Sequence, residues 1–126
     1  APSLVGSVEF AAAQFGTRLV VVLGHTRCGA VTATLDELQR PSGGQSKNLR
    51  SIVDRVRPAV LPLLDTDLAG DRDALIDRAV RANVIASANQ LRHGSEILEE
   101  LMDDGLSVVG AEYSLETGEV DFFDGV

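Results

Sequence analysis

The chain has 126 residues, 44% of them hydrophobic, which suits one modest globular domain with a core of small aliphatic side chains. Its net charge of −8 argues against a general nucleic-acid binder and against electrostatic attachment to anionic lipid, because both need clustered Lys and Arg. One cysteine excludes an internal disulfide, no apolar run approaches a membrane span, and the N-terminus lacks a signal-type core, so a cytoplasmic location is expected.

The first third of the chain predicts a helix, a strand and a second helix. Apolar residues at helical spacing over residues 3–14 predict a helix with Ser3 as its cap and Gly16 as its stop. Residues 19–23 form a β-branched run that is too short for a buried helix, so it predicts a strand buried on both faces. A helix over residues 30–39 completes an order that is typical of a parallel α/β sheet.

The middle of the chain predicts mainly helices. Residues 49–64 carry apolar side chains on one side, but Pro58 and Pro62 must kink this helix or split it. The longest helical pattern covers residues 71–92 and is stopped by Gly94. The remaining signals are loops over residues 40–46 and 65–70 and a short helix between its cap Ser95 and its stop Gly105.

The C-terminal region predicts two strands joined by a turn. Residues 106–113 form a second apolar strand, and residues 119–123 form a third that pairs antiparallel with it across a turn at residues 116–118. The predicted fold class is α/β, a mostly parallel sheet with flanking helices and an antiparallel closing strand, in a single domain over residues 1–126. With only three strands, the strand at residues 19–23 lies at or near a sheet edge, which suggests that further strands belong upstream.

The turn at residues 24–29 carries the strongest chemical signal. It presents His25 and Cys28 after the first strand, and the carboxyl ends of strands are where open α/β sheets build their sites. Zinc favours imidazole nitrogen and thiolate sulfur, so the pair is a candidate for metal binding. The alternative is that Cys28 is a small buried hydrophobe and His25 a hydrogen-bonded loop residue. The other histidine, His93, is expected to end a helix, where a cation suits the helix dipole.

Two blocks of the sequence resemble the β-class carbonic anhydrases. The first reads S-V-E-F-A-A from Ser7 and L-V-V-V-L-G-H-T-R-C-G-A-V from Leu19, and is similar to the family's helix S-[ILV]-E-[YF]-A, apolar strand and G-H-x-x-C-G-A-V motif. The second reads V-V-G-A-E-Y-S-L from Val108 and is similar to the family's closing strands, V-x-G-x-x-Y-x-[IVL]. Phe10 stands where many relatives have tyrosine, so no role of that hydroxyl is carried over.

The resemblance implies a zinc enzyme that reversibly hydrates carbon dioxide to bicarbonate. In that family, zinc is held by two cysteines and one histidine, with an aspartate or water in the fourth place. His25 and Cys28 match the histidine and the second cysteine, whereas the first cysteine and the aspartate belong to an upstream C-x-D-x-R motif that this sequence lacks. The implied protein is therefore the C-terminal portion of a larger carbonic anhydrase domain, with an incomplete fold and no activity by itself.

The resemblance also implies assembly. Most family members are dimers or larger, so a homodimer or higher homo-oligomer is expected, with Val5, Val8 and Phe10 facing a partner. A second hypothesis is a non-catalytic relative that keeps the sheet for assembly or binding. A third, a small-molecule-binding Rossmann-like domain, is weak because the chain has no G-x-G-x-x-G motif.

Overall fold

A computed structural model describes all residues from 1 to 126 and shows five α-helices and three β-strands. The helices are α1 (Pro2–Phe15), α2 (Gly29–Gln39), α3 (Lys47–Val60), α4 (Arg72–His93) and α5 (Glu96–Asp103). The strands are β1 (Leu19–His25), β2 (Ser107–Tyr113) and β3 (Val120–Asp124). Two short 3₁₀ helices, Leu61–Asp65 and Asp67–Gly70, connect α3 to α4. None of the helices is both long enough and apolar enough to span a membrane.

The three strands form one mixed sheet in the order β1-β2-β3. β1 and β2 are parallel, with Val20 opposite Val108, and β3 closes the sheet antiparallel to β2, with Phe122 opposite Ala111. A parallel pair needs a crossover, which the helices α2 to α5 supply. The predicted α/β class and the antiparallel closing strand are confirmed.

Helix α4 covers one face of the sheet at very close range. A Cβ atom on Gly24 would lie 2.6 Å from Val84 Cγ2, and one on Gly110 would lie 2.9 Å from Val84 Cγ1. Both distances are far below ordinary van der Waals contact, so glycine is required where α4 crosses β1 and β2. This close approach places the end of β1, and the turn that follows it, against a rigid helix.

Two apolar clusters hold the helices together. The larger one joins α2, α3 and α4 through seven buried side chains, namely Val31, Leu35, Val56, Val60, Leu75, Ala79 and Val80. The smaller one joins α1, α5 and the start of β2 through Ala12, Leu98 and Leu106. Val8 packs against this second cluster, so it contributes to the chain's own core.

The prediction that the first strand is buried on both faces is wrong. Along β1, Leu19, Val21 and Leu23 have exposed fractions of 55%, 39% and 57%. The alternate residues on β1 are partly buried. β1 lies at the edge of the sheet, as the count of three strands suggested, and the chain covers only one of its faces. An apolar run predicts that both faces of a strand are covered, but it does not show whether the covering residues belong to the same chain.

Several predicted boundaries also change. α1 begins at Pro2 with Ala1 as its cap residue, because proline suits the first helical position, so the assignment of Ser3 as the cap is wrong. Pro58 lies inside α3, and the helical segment changes to the 3₁₀ form around Pro62. The predicted loop at residues 65–70 is almost entirely 3₁₀ helix, with only Thr66 outside the two short helices. The predicted stop at Gly16, with φ of 66°, and the cap at Ser95 are confirmed.

Candidate metal-binding turn

The turn after β1 places its two candidate ligands on different elements. His25 is the last residue of β1, and Cys28 is the residue that caps the N-terminus of α2. Between them, Arg27 has φ of +55°, the left-handed region that residues with a Cβ atom avoid. The reversal at Arg27 lets a strand end and a helix begin within a few residues.

The imidazole of His25 is held from one side. Its Nδ1 lies 2.8 Å from the carbonyl oxygen of Thr26, and the residue is exposed. Because a carbonyl oxygen only accepts hydrogen bonds, this contact requires a hydrogen on Nδ1, and in the neutral ring that tautomer leaves a lone pair on Nε2. A metal-binding histidine commonly has this arrangement, with one nitrogen donating to a carbonyl and the other free to ligate.

Cys28 is a partly buried free thiol at the start of α2. Its backbone carbonyl accepts hydrogen bonds from the amide and the hydroxyl of Thr32, at 3.0 and 2.9 Å. Its side chain packs at the margin of the larger apolar cluster. The positive end of a helix dipole favours an anionic group, which suits a thiolate ligand at this position.

The donor types fit zinc, but the donor number does not complete a site. Imidazole nitrogen and thiolate sulfur are zinc ligands, and one turn presents both. The chain contains no group of three or more His, Cys, Asp or Glu side chains arranged to hold a metal ion. His93 is exposed at the end of α4, as predicted, and belongs to no such group. The chain therefore presents two zinc-type donors in one turn and no third donor beside them.

A cleft of about 420 Å³ opens beside the turn. Its lining is mainly polar and includes Thr26, Arg27, Thr32, Asp73, Asp77 and Glu116. His25 and Cys28 are not among its lining residues, so the cleft and the two candidate ligands do not form one pocket. A larger polar cavity, about 720 Å³, lies at the far end of α2 and involves neither candidate ligand.

A partly buried ion pair next to the turn was not predicted from the sequence. Glu112 lies opposite Gly24 in the β1–β2 register, is 9% exposed, and accepts a 3.1 Å hydrogen bond from Nε of Arg81 on α4. Arg81 also donates to Asp121 at 2.8 Å and lies over the Phe123 ring, 4.5 Å from its centroid. The hydrogen bond to Asp121, followed by the two carboxylate charges, raises the pKa of Arg81 against the effect of burial. The available signal was an acidic residue near the end of an otherwise apolar strand.

The sequence matches the family model described as carbonic anhydrase over residues 1–120. It is 34% identical to carbonic anhydrase 2 of Mycobacterium tuberculosis over 121 residues, which are 92% of this chain and 54% of the relative. It is 31% identical to a carbonic anhydrase of Pseudomonas aeruginosa, over 94% of this chain and 52% of that protein. The chain thus spans about half the length of the curated relatives it matches.

Solved structures show the same likeness. The β-carbonic anhydrase CafA of Aspergillus fumigatus superposes with a TM-score of 0.82 at 25% identity, over 100% of this chain and 58% of that one. One of two tetrameric β-carbonic anhydrases from Sordaria macrospora gives a TM-score of 0.81 at 20% identity, over 98% of this chain and 60% of the other. The second likeness concerns the fold alone.

Proposed function

This chain belongs to the β-class carbonic anhydrase family, and on that premise we propose that it is the C-terminal portion of an enzyme that reversibly hydrates carbon dioxide to bicarbonate. The family match, the order of the motifs and the half-length coverage of the relatives support this proposal. The observation that carries it is the turn itself, where a histidine with a free Nε2 and a thiol stand at the carboxyl end of a strand.

His25 and Cys28 are the proposed zinc ligands of this portion. When bound, zinc supplies the acidity that yields hydroxide from water near neutral pH. The protein's part is to hold the imidazole in the tautomer that leaves Nε2 free and to present the thiol at the start of α2. Arg81 on α4 and Glu112 on β2 join the neighbouring helix and strand through an ion pair.

The proposed zinc site lacks a third protein ligand within this chain. A catalytic zinc site uses three protein ligands and one open position, and two ligands from one turn bind the ion weakly. We therefore propose that these 126 residues do not catalyse hydration alone and that the remaining ligand comes from chain beyond them. A non-catalytic relative used for assembly is the second candidate, favoured by the absence of a three-donor group.

We also propose that the chain assembles into a homodimer or a higher homo-oligomer. Several large apolar side chains are exposed on α1 and β1, including Leu4 at 69%, Phe10 at 59% and Leu23 at 57%. Large apolar side chains that are exposed on two elements of one chain suit contact with a second copy. The tetramers named for the Sordaria macrospora proteins agree with this proposal. The cytoplasmic location remains a prediction.

The metal proposal is tested by titrating the chain with zinc in a calorimeter. We expect weak binding that is lost in His25→Ala and in Cys28→Ser and retained in His93→Ala, the matched control that removes the chain's other histidine. Unchanged binding in Cys28→Ser would remove the thiol from the site.

The activity proposal is tested by stopped-flow hydration of carbon dioxide. The 126 residues are compared with the longest chain that the gene encodes, each with and without Cys28→Ser. We expect catalysis only in the longer chain and loss of it in the variant. If the longer chain is also inactive and binds no zinc, but light scattering shows a defined oligomer, the assembly hypothesis replaces the enzyme.

A further inference from the structure

Thr26 connects the candidate metal turn to a distant part of the chain. Its backbone N–H donates to the carbonyl oxygen of Tyr113 at 3.0 Å, and its Oγ1 accepts from the N–H of Leu115, also at 3.0 Å. Its carbonyl oxygen faces Nδ1 of His25 at 2.8 Å. One residue thus touches both the candidate ligand and the segment that follows β2.

The segment after β2 is itself well fixed. The N–H of Ser114 donates to Glu119 at 2.9 Å, and the N–H of Gly118 donates to Ser114 at 2.8 Å. The N–H of Thr117 donates to Oγ of Ser114 at 3.2 Å. These bonds close the loop between β2 and β3, so Leu115 provides Thr26 with a rigid donor rather than a mobile one.

Arg27 explains why the turn needs such an anchor. A residue with a Cβ atom costs roughly 1–2 kcal/mol in the left-handed region, where Arg27 lies with φ of +55°. Strained backbone persists only where the surroundings hold it. The ion pair from Arg27 to Glu116 is 2.8 Å long, but both side chains are more than half exposed, so it stabilises the turn little. The bonds to Thr26 are the stronger restraint.

We propose that Thr26 is a positioning residue that fixes the tautomer and orientation of the His25 imidazole through its anchor on Leu115, an inference that rests on the proposed role of His25 as a zinc ligand. With Oγ1 held by Leu115, the Thr26 carbonyl stays aimed at Nδ1, and Nε2 stays free. Without the anchor, the turn relaxes, the carbonyl moves away, and the ring takes the Nε2–H form that an unconstrained imidazole prefers.

The test compares Thr26→Val, which keeps the shape but removes the acceptor, with Thr26→Ser, which keeps the acceptor. Long-range ¹H–¹⁵N correlation at about pH 8, above the ordinary histidine pKa of ~6.5, reports the ring tautomer. We expect His25 to be the Nδ1–H tautomer in the parent chain, to lose it in the valine variant and to regain it in the serine variant. The Leu115 amide should exchange about fivefold faster in the valine variant alone.

Two controls separate positioning from general destabilisation. Thr66→Val removes a comparable hydroxyl, which accepts from the N–H of Leu68 in the second 3₁₀ helix, and should leave His25 unchanged. The ring signals of His93 should be the same in every variant. A parent His25 in the Nε2–H form overturns the proposal. An unchanged tautomer in Thr26→Val, despite faster exchange at Leu115, also overturns it.

A zinc titration of the same variants distinguishes this proposal from the proposed function. Thr26→Val should weaken zinc binding about tenfold, and Thr26→Ser should not. If no variant, including the parent, binds zinc through His25, the proposed function fails while the tautomer measurement still decides the role of Thr26. If zinc binds but the parent tautomer is wrong, only the positioning role fails.

Discussion

The two faces of β1 differ sharply, although they belong to the same seven residues. On one face, α4 approaches so closely that Gly24 has no room for a Cβ atom. On the other, Leu23 is 57% exposed. His25 stands at the end of this strand, so the candidate site is rigidly supported from the helical side and open on the other. The helix that supports the two candidate ligands is therefore part of this chain, although a third metal donor is not.

The largest expected effect comes from breaking the helical side. Leu35→Ala removes a side chain that is 1% exposed in the cluster joining α2, α3 and α4, and it leaves a cavity behind. We expect a loss of about 3 kcal/mol in the free energy of unfolding, measured by urea denaturation. Leu49→Ala, at a position that is 55% exposed, is the control and should cost far less. Equal losses would contradict the tight packing of Leu35 in this cluster.

A smaller effect is expected from crowding the closest contact. Gly24→Ala places a Cβ atom 2.6 Å from Val84, so side chains must shift at a cost of about 1–3 kcal/mol in unfolding free energy. Gly29→Ala is the matched control, because nothing lies within 4 Å of its added atom. Thermal unfolding of the two variants checks the prediction. A stable Gly24→Ala protein would show that α4 is not tightly seated on β1.

A third, weaker effect depends on pH and concerns the outer side of the helical layer. The hydrogen bonds that Arg72 on α4 donates to Asp36 on α2 are the main cause that lowers the pKa of this carboxyl. Because the folded-state pKa lies below the unfolded value, this stabilisation is present above the ordinary aspartate pKa and is lost as the pH falls through the lowered value. Asp36→Asn should make unfolding free energy less sensitive to acid, measured below about pH 5. Arg72→Gln should have the same effect, and a steeper acid dependence in either variant would contradict the pairing.

The smallest effect on stability is expected on the open face. Leu23→Ser alters a side chain next to Gly24 in sequence but on the opposite face, and it should change the free energy of unfolding by less than about 0.5 kcal/mol. Light scattering over a range of concentrations adds a second measurement. If this face takes part in the proposed assembly, the variant associates less than the parent. A large loss of monomer stability would mean that the face is covered within the chain.

The helices and the order of elements could be predicted because their signals are local. Apolar spacing located α4. Gly16 marked a helix end by its left-handed backbone, and Ser95 marked a helix start by its side-chain oxygen, which accepts from the N–H of Leu98. Ser3 failed as a cap because Pro2 competes for the same helix start. The candidate ligands were also found locally, from two residue types in one short turn.

The remainder depends on contacts between residues far apart in the chain. Nothing near Thr26 in the sequence indicates that its hydroxyl accepts a hydrogen bond from the N–H of Leu115. In the same way, nothing near Glu112 indicates that it forms an ion pair with Arg81. The burial of β1 was mistaken for the same reason, since an apolar strand does not reveal how many neighbours it has. Local pattern thus predicted the two candidate ligands, whereas the groups that contact them became visible only in the folded chain.

The parallel pairing of β1 and β2 has a kinetic consequence. Leu19 lies opposite Ser107, with four helices between the two strands, so the sheet is a contact of very long sequence separation. Such pairings form late and slowly, because closing the chain costs entropy before the contact stabilises it. We therefore expect the bond between Thr26 and Leu115 to form near the end of folding, and the imidazole to acquire its final orientation only when the whole domain has formed.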